Sequence, residues 1–265
     1  MITSTSNDRV KYVHALSRRK TRQEEGRFVV EGLRLLEEAI RANVRPDYLL
    51  YTTELDERGK KLVDHLHASG VVCLDVTAGI MKFCSETETP PGILAVLPFA
   101  SSILPIRPTL SVVADALRDP GNLGTLLRAA AAAGADEVLL GPGTVDAYNP
   151  KVVRGAMGTH FRLPTAAMTW PAIGSHLNGV SVWLADARGA VPYTQVDWTR
   201  PCALIVGGEA EGASHEADKL AAGRVSIPMQ HGIESLNAAL AAAVILFEAQ
   251  RQRMAALPGN AANLV

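Results

Sequence analysis

The chain has 265 residues, of which 48% are hydrophobic and 20% charged, which is enough for one large domain or two modest ones. No apolar run reaches the roughly 18 residues of a membrane-spanning helix, and the polar start 1–11 lacks the apolar stretch of a secretory signal, which predicts a soluble, cytoplasmic protein. The formal net charge of −1 argues against a nucleic-acid partner, because phosphate binding needs an excess of Lys and Arg.

The average charge hides a basic segment near the N-terminus. Between residues 9 and 27 the only acidic residues are Glu24 and Glu25. The charges alone leave two interpretations open, a solvated helix face or an RNA contact. The candidate RNA-binding residues are Arg9, Lys11, Arg18, Arg19, Lys20 and Arg22.

The first hundred residues alternate between helical and extended patterns, which favours a small α/β layer. The predicted helices are 7–23, 33–42 and 55–68, and the predicted strands are 28–30, 47–51, 71–74 and 93–97. A proline-rich stretch follows, with Pro98, Pro105 and Pro108. Because proline fixes φ and removes a hydrogen-bond donor, we predict a linker at 101–108 between domains 1–100 and 109–265.

The second half of the chain has continuous apolar strands, which are typical of a parallel sheet covered on both faces. We predict strands at 110–114, 137–140, 182–185, 203–206 and 225–227, and helices at 123–133 and 236–254. The cysteines stand in no metal-ligand spacing, so we expect reduced core residues and no metal site. His160 and His231 could act as bases, although a lone histidine is more often structural or solvated.

Three segments at predicted strand ends carry polar residues and glycines. In the first, 119–128, Asn122 can cap the following helix and Arg128 can point toward the strand-end crevice. Its spacing is neither that of a dinucleotide-binding GxGxxG loop nor that of a phosphate-binding P-loop. Taken alone, it is equally well interpreted as an ordinary turn with a capping residue and a surface arginine.

The second segment, 204–212, runs from an apolar strand into Gly207 and Gly208 and then the acidic Glu209. Glycine at a strand end lets a ligand touch the backbone, whose N–H and C=O groups can read the polar rim of an adenine. The third segment, 227–237, places Ser235 and Asn237 before an apolar helix that either can cap. A turn with solvated glutamates and a simple helix cap are the alternatives.

Together the pieces NLGTLLR (122–128), GGEAEG (207–212) and IPMQHGIESLNAAL (227–240) resemble the SPOUT class of RNA methyltransferases, in its SpoU/TrmH-like ribose-methylating branch. The first half, with SNDRVKYVHALSRRK and GRFVVEGLRLLEEAI, is similar to the ribosomal-protein-like RNA-binding domain that often precedes that catalytic domain. The resemblance implies an α/β catalytic domain with a trefoil knot, a homodimer, and S-adenosylmethionine as the cofactor. It also favours RNA contact by the basic segment.

The resemblance further assigns residues to roles. Cofactor contacts are expected from Gly207, Gly208, Ile227, Met229 and Leu236, and the polar active-site positions are Asn122, Arg128, Glu209, Ser235 and Asn237. Gly208 departs from the family, which often has asparagine there, so only a backbone role is expected of it. A guanidinium stays protonated, so Arg128 is expected to orient the ribose and stabilise developing negative charge, with Asn122 and Ser235 holding it and the acceptor.

The expected activity is therefore 2′-O-ribose methylation of RNA, with 23S ribosomal RNA first and transfer RNA second. Two alternatives stay open: a non-catalytic RNA-binding protein of the same shape, and a knotted methyltransferase that modifies a base.

Overall fold

The computed structural model describes residues 1–100, 103–208 and 212–257. The chain divides into two compact units, which we call the N-terminal unit (Met1–Ser101 with Tyr148–Phe161) and the C-terminal unit (Ser102–Ala147 with Arg162–Val265). The return of Tyr148–Phe161 to the N-terminal unit is a feature that the sequence does not predict. None of the described helices has the length and apolar character required to cross a membrane.

The helices, in chain order, are α1 Asp8–Ala15, α2 Arg19–Glu25, α3 Leu33–Arg41, α4 Glu57–Ala68, α5 Ala78–Cys84, α6 Pro120–Ala132, α7 Pro150–Ala156, α8 Trp170–His176, α9 His215–Leu220 and α10 Ala238–Ala256. The strands are β1 Arg27–Glu31, β2 Tyr48–Tyr51, β3 Val72–Asp75, β4 Ile93–Pro98, β5 Leu110–Asp115, β6 Glu137–Leu140, β7 Thr165–Ala167, β8 Ser181–Ala185, β9 Val191–Pro192, β10 Cys202–Gly207 and β11 Gly223–Ser226. Short 3-10 turns lie at Thr159–Phe161 and Tyr193–Gln195.

The N-terminal unit is built on a four-stranded mixed sheet in the order β1-β4-β2-β3. Strand β4 pairs antiparallel with β1 and β2, and β2 pairs parallel with β3. Each face of the sheet has an apolar core, because alternate residues of a strand point to opposite sides. One core contains Phe28 and Leu97, and the other contains Tyr48 and Met81.

The prediction of one basic helix at 7–23 is wrong, because this segment forms two helices, α1 and α2. Ser17 donates its hydroxyl to the carbonyl of His14 and ends α1, and the Arg22 guanidinium donates to the carbonyls of Leu16 (2.9 Å) and Ser17 (2.7 Å). Arg22 is only 2% exposed. It satisfies backbone carbonyls at the break between the helices, which corrects the expectation that it contacts RNA.

The C-terminal unit is built on a seven-stranded sheet in the order β7-β6-β5-β10-β8-β11-β9, with parallel pairing throughout. This confirms the parallel sheet expected from the continuous apolar strands. All six residues of β5 are buried, as are five of the six in β10. The three cysteines are free thiols, with Cys84 and Cys202 buried and Cys73 half-buried.

Candidate active site

A pocket of about 610 Å³ lies in the C-terminal unit, where β8, β10 and β11 end. Open parallel sheets bind ligands outside the carboxyl ends of their strands, and this pocket has that position. Its lining includes Ser235 and all five residues that were expected to contact a cofactor. These five are Gly207, Gly208, Ile227, Met229 and Leu236. The second and third sequence segments therefore form one cavity.

One wall of the pocket is the glycine-rich end of β10. A Cβ atom on Gly208 would lie 2.7 Å from the carbonyl oxygen of Ala116, and one on Gly207 would lie 3.0 Å from the backbone of Gly212 and Ala213. Non-bonded atoms do not approach that closely, so a side chain at Gly208 would force the backbone to move. This contact explains why the chain carries glycine at position 208.

The facing wall is apolar and comes from the third segment and α10. Ile227 and Met229 are half-buried, Leu236 is 38% exposed, and Ile245 is buried in the helix behind them. A flat ligand between these side chains and the glycine backbone would have apolar contacts on its faces and backbone hydrogen-bonding groups at its edge. The volume lies within the roughly 300–1,000 Å³ usual for pockets that bind cofactors.

The first and third segments meet through two asparagines. Asn237 donates its side-chain amide to the Oδ1 atom of Asn122 at 2.9 Å, and its own Oδ1 accepts from the backbone N–H of Ala239 and Leu240. Asn237 is therefore the N-cap of α10, one of the two caps that the sequence allows. Asn122 does not cap α6, because Asp119 does so by accepting from the Asn122 N–H at 2.8 Å.

Arg128 lies on α6 and is exposed. Its guanidinium forms no hydrogen bond or ion pair with any residue that the structure describes, and it does not line the pocket. Asn122, which was expected to hold Arg128, accepts a hydrogen bond from the side-chain amide of Asn237. Glu209, the remaining polar residue of the expected site, lies outside the described residues.

The two histidines considered as bases lie outside this site. His160 is 5% exposed and packs against the rings of Phe28 and Tyr148 in the N-terminal unit, which is a structural role. His231 is exposed and has a φ of +56°, in the turn before α10.

Three charged residues at the pocket rim were not among the site residues predicted from the sequence, namely Asp186, Arg188 and Arg224. A hydrogen bond from the backbone N–H of Arg188, and then the Arg224 guanidinium, lower the pKa of Asp186 below its usual value. The carboxylate is therefore ionised at neutral pH. The signal was available in the sequence, because Asp186 directly follows a predicted strand, as Gly207 and Glu209 follow another.

Five of the six candidate RNA-binding residues are exposed, and Arg22 is buried. The Arg9 guanidinium lies over the Tyr48 ring, 4.7 Å from its centroid, and Lys11 and Lys20 are 3.8 Å from Asp8 and Glu24. Ion pairs this long and exposed contribute little to folding stability, so the lysines can exchange these partners for phosphate groups. The exposed set is Arg9, Lys11, Arg18, Arg19 and Lys20.

Comparison with known proteins agrees with both halves of the chain. The family model of the SpoU rRNA methylase family matches residues 109–247, and the model of the MRM3-like substrate binding domain matches residues 7–95. The 23S rRNA (guanosine(2553)-2'-O)-methyltransferase RlmP of Bacillus subtilis is 34% identical, over 93% of this chain and 97% of the relative. Human mitochondrial rRNA methyltransferase 3 is 33% identical, over 88% of this chain and 70% of the relative.

Solved structures show the same similarity. The AdoMet-bound rRNA methyltransferase of Sinorhizobium meliloti has a TM-score of 0.83 and 30% identity, covering 94% of this chain and 97% of that one. An RNA 2'-O ribose methyltransferase has a TM-score of 0.81 and 34% identity, covering 95% and 98%. AdoMet is S-adenosylmethionine. With a matching family model over more than half its length and relatives similar along nearly all of it, the chain belongs to the SpoU rRNA methylase family and is an S-adenosylmethionine-dependent methyltransferase.

Proposed function

We propose that this methyltransferase modifies a ribose 2′-hydroxyl in RNA, with 23S ribosomal RNA as the first candidate and transfer RNA as the second. The observation that carries the proposal is the Asn237–Asn122 hydrogen bond, which joins the segment containing Arg128 to the segment lining the pocket. The relatives point the same way, since RlmP is named a 23S rRNA 2'-O-methyltransferase.

The pocket residues fit S-adenosylmethionine. The backbone of Gly207 and Gly208 lines the pocket and offers its hydrogen-bonding groups to the edge of the adenine. A Cβ atom at Gly208 would displace that backbone, because it would lie 2.7 Å from the carbonyl oxygen of Ala116. Ile227, Met229 and Leu236 provide an apolar surface for the adenine. When bound there, the cofactor supplies an electrophilic methyl group on a sulfonium. The protein then has to position the acceptor oxygen and assist loss of its proton.

Arg128 is the residue that we assign to the acceptor. A guanidinium has five donors and no acceptor, so it cannot remove the 2′-hydroxyl proton at ordinary pH. It can orient the ribose and an adjacent phosphate by a two-pronged hydrogen bond, and it can stabilise negative charge that develops on the oxygen. Its exposure and its lack of partners among the described residues leave it available to RNA.

The N-terminal unit is proposed to bind the RNA. Its exposed cations Arg9, Lys11, Arg18, Arg19 and Lys20 would contact phosphates, and the model of a substrate binding domain matches this region. A cytoplasmic location stays a prediction, since the relatives include both a bacterial and a mitochondrial enzyme.

We further infer a homodimer and a trefoil knot in the C-terminal unit. Helix α10 exposes apolar side chains at positions 240, 244 and 247, which share one face because their spacing is four and three residues. Leu240 is 53% exposed and Phe247 is 47% exposed, and burying this face against a second copy would remove it from water. The knot is inferred from the resemblance to SpoU/TrmH-like methyltransferases, and residues that follow β10 and β11 line one pocket in the sheet of order β5-β10-β8-β11.

The proposal is tested by mapping ribose methylation across total RNA from cells with and without the protein. A site in 23S ribosomal RNA that disappears with the protein supports it, and an unchanged map contradicts it. In single-turnover assays, Arg128→Ala is expected to lose at least tenfold in rate while cofactor affinity persists. Near-wild-type rates in both Arg128→Ala and Arg128→Lys would remove Arg128 from the mechanism, and full rescue by lysine would mean that charge alone suffices.

A further inference from the structure

The turn that follows β8 places a carboxylate at the pocket rim. Asp186 lines the pocket, and its side chain is 23% exposed. Its Oδ1 atom accepts from the backbone N–H of Arg188 at 2.8 Å, and its Oδ2 atom accepts from the Arg224 guanidinium at 2.5 Å. The second nitrogen of that guanidinium donates to Asp218 at 2.6 Å. Arg224 therefore holds Asp186 in a fixed orientation.

The backbone of this turn is fixed against β11. The Asp186 N–H donates to the carbonyl of Val225 at 2.9 Å, and the Gly189 N–H donates back to the carbonyl of Asp186 at 2.9 Å. Gly189 lies so close to β11 that a Cβ atom there would be 2.7 Å from the carbonyl carbon of Val225. The carboxylate is held in place before any ligand arrives, so little ordering entropy remains to be lost on binding.

The chemistry of the carboxylate selects its ligand. An ionised carboxylate is acceptor-only, with about four lone-pair positions, of which the structure shows two in use. Two remain for a ligand that brings two donors. Because Arg224 and Arg188 together balance the negative charges of Asp186 and Asp218, a cationic donor such as an ammonium group gains little here. A pair of neighbouring hydroxyl groups satisfies both conditions.

We propose that Asp186 accepts the 2′- and 3′-hydroxyls of the cofactor ribose, and that Arg224 is the residue that positions it. An acidic side chain that follows a parallel strand binds ribose hydroxyls in the same way in dinucleotide-binding folds. The assignment rests on the pocket being the cofactor site. Asp218 shares Arg224 but does not line the pocket, so it provides a matched control.

Titration calorimetry on the full chain tests the proposal, with S-adenosylhomocysteine and its 2′,3′-dideoxyribose analogue as ligands. Two hydrogen bonds to a charged acceptor are lost together, so the wild type should bind the analogue about 100-fold more weakly. Asp186→Ala should bind both ligands with equal, weak affinity. Asp218→Asn should keep the wild-type discrimination.

Asp186→Asn is the second variant, because it preserves side-chain volume and one oxygen acceptor. It should retain the fold, measured by circular dichroism, and lose at least tenfold in discrimination between the two ligands. Wild-type discrimination in folded Asp186→Ala or Asp186→Asn would overturn the ribose assignment alone. Failure of the wild type to bind S-adenosylhomocysteine at all would instead overturn the cofactor pocket, and with it the proposed function.

Discussion

The hydrogen bond between Asn237 and Asn122 should couple the acceptor segment to the cofactor segment energetically. Replacing Asn237 with alanine removes the N-cap of α10, at a cost of about 1 kcal/mol, and also removes the bond to Asn122. That bond contributes about 0.5–1 kcal/mol, because both side chains are partly solvated. We therefore predict a loss of about 1.5–2 kcal/mol in the free energy of unfolding for Asn237→Ala.

Serine separates the two contributions, since it caps a helix well but is too short to reach Asn122. Asn237→Ser should lose about 0.5–1 kcal/mol, and the double-mutant cycle of Asn237→Ser with Asn122→Ala should give a coupling of similar size. Urea unfolding followed by circular dichroism measures the stability, and single-turnover methylation measures the rate, which should fall more than tenfold in both single variants. A coupling below about 0.3 kcal/mol in folded proteins would refute the reasoning.

Three further predictions concern the glycine wall, a buried polar cluster and the exposed helix. Gly208→Ala should weaken S-adenosylhomocysteine binding at least tenfold by calorimetry, because its Cβ atom would lie 2.7 Å from the Ala116 carbonyl oxygen. Gly174→Ala should bind like the wild type, because the atom nearest to its Cβ atom would be 3.6 Å away. Glu137 is fully buried and binds the Ser111 hydroxyl and the His176 ring. Glu137→Ala should therefore lose about 2–3 kcal/mol in the free energy of unfolding, measured with urea. Cofactor affinity should stay intact, because the cluster lies where β5 and β6 begin. Phe247→Glu should give a monomer in light scattering while Val72→Glu, also an exposed apolar residue, should not; a dimeric Phe247→Glu protein would contradict the α10 interface.

The regular part of the fold could be predicted because burial on both faces leaves a strong mark on the sequence. Strands such as β5 and β10 are runs of apolar residues bounded by polar or glycine residues, and both were predicted nearly to their ends. The strands β7 and β9 were missed because they have only three and two residues, too few to show a period. The short helices α7, α8 and α9 have six or seven residues and leave an equally weak pattern.

The lining of the pocket could be predicted where it consists of backbone and of segments that are contiguous in sequence. The five expected cofactor residues line the pocket because they lie at or just beyond the ends of β10 and β11, or just before α10. Arg22 was misjudged because charge and helical spacing do not reveal that a guanidinium folds back on carbonyls. The Asp186–Arg224 pair was missed because its residues are 38 positions apart and meet only through the pairing of β8 with β11.

The central claim is that this pocket serves methyl transfer to a ribose hydroxyl, and the nucleoside product tests it most directly. The purified protein is incubated with ribosomal RNA and S-adenosylmethionine labelled in its methyl group, and the RNA is digested to nucleosides and separated. We predict that the label appears in a 2′-O-methyl nucleoside and that Arg128→Ala reduces it at least tenfold. Label in a methylated base, or no transfer to RNA by protein that binds the cofactor, would contradict the account.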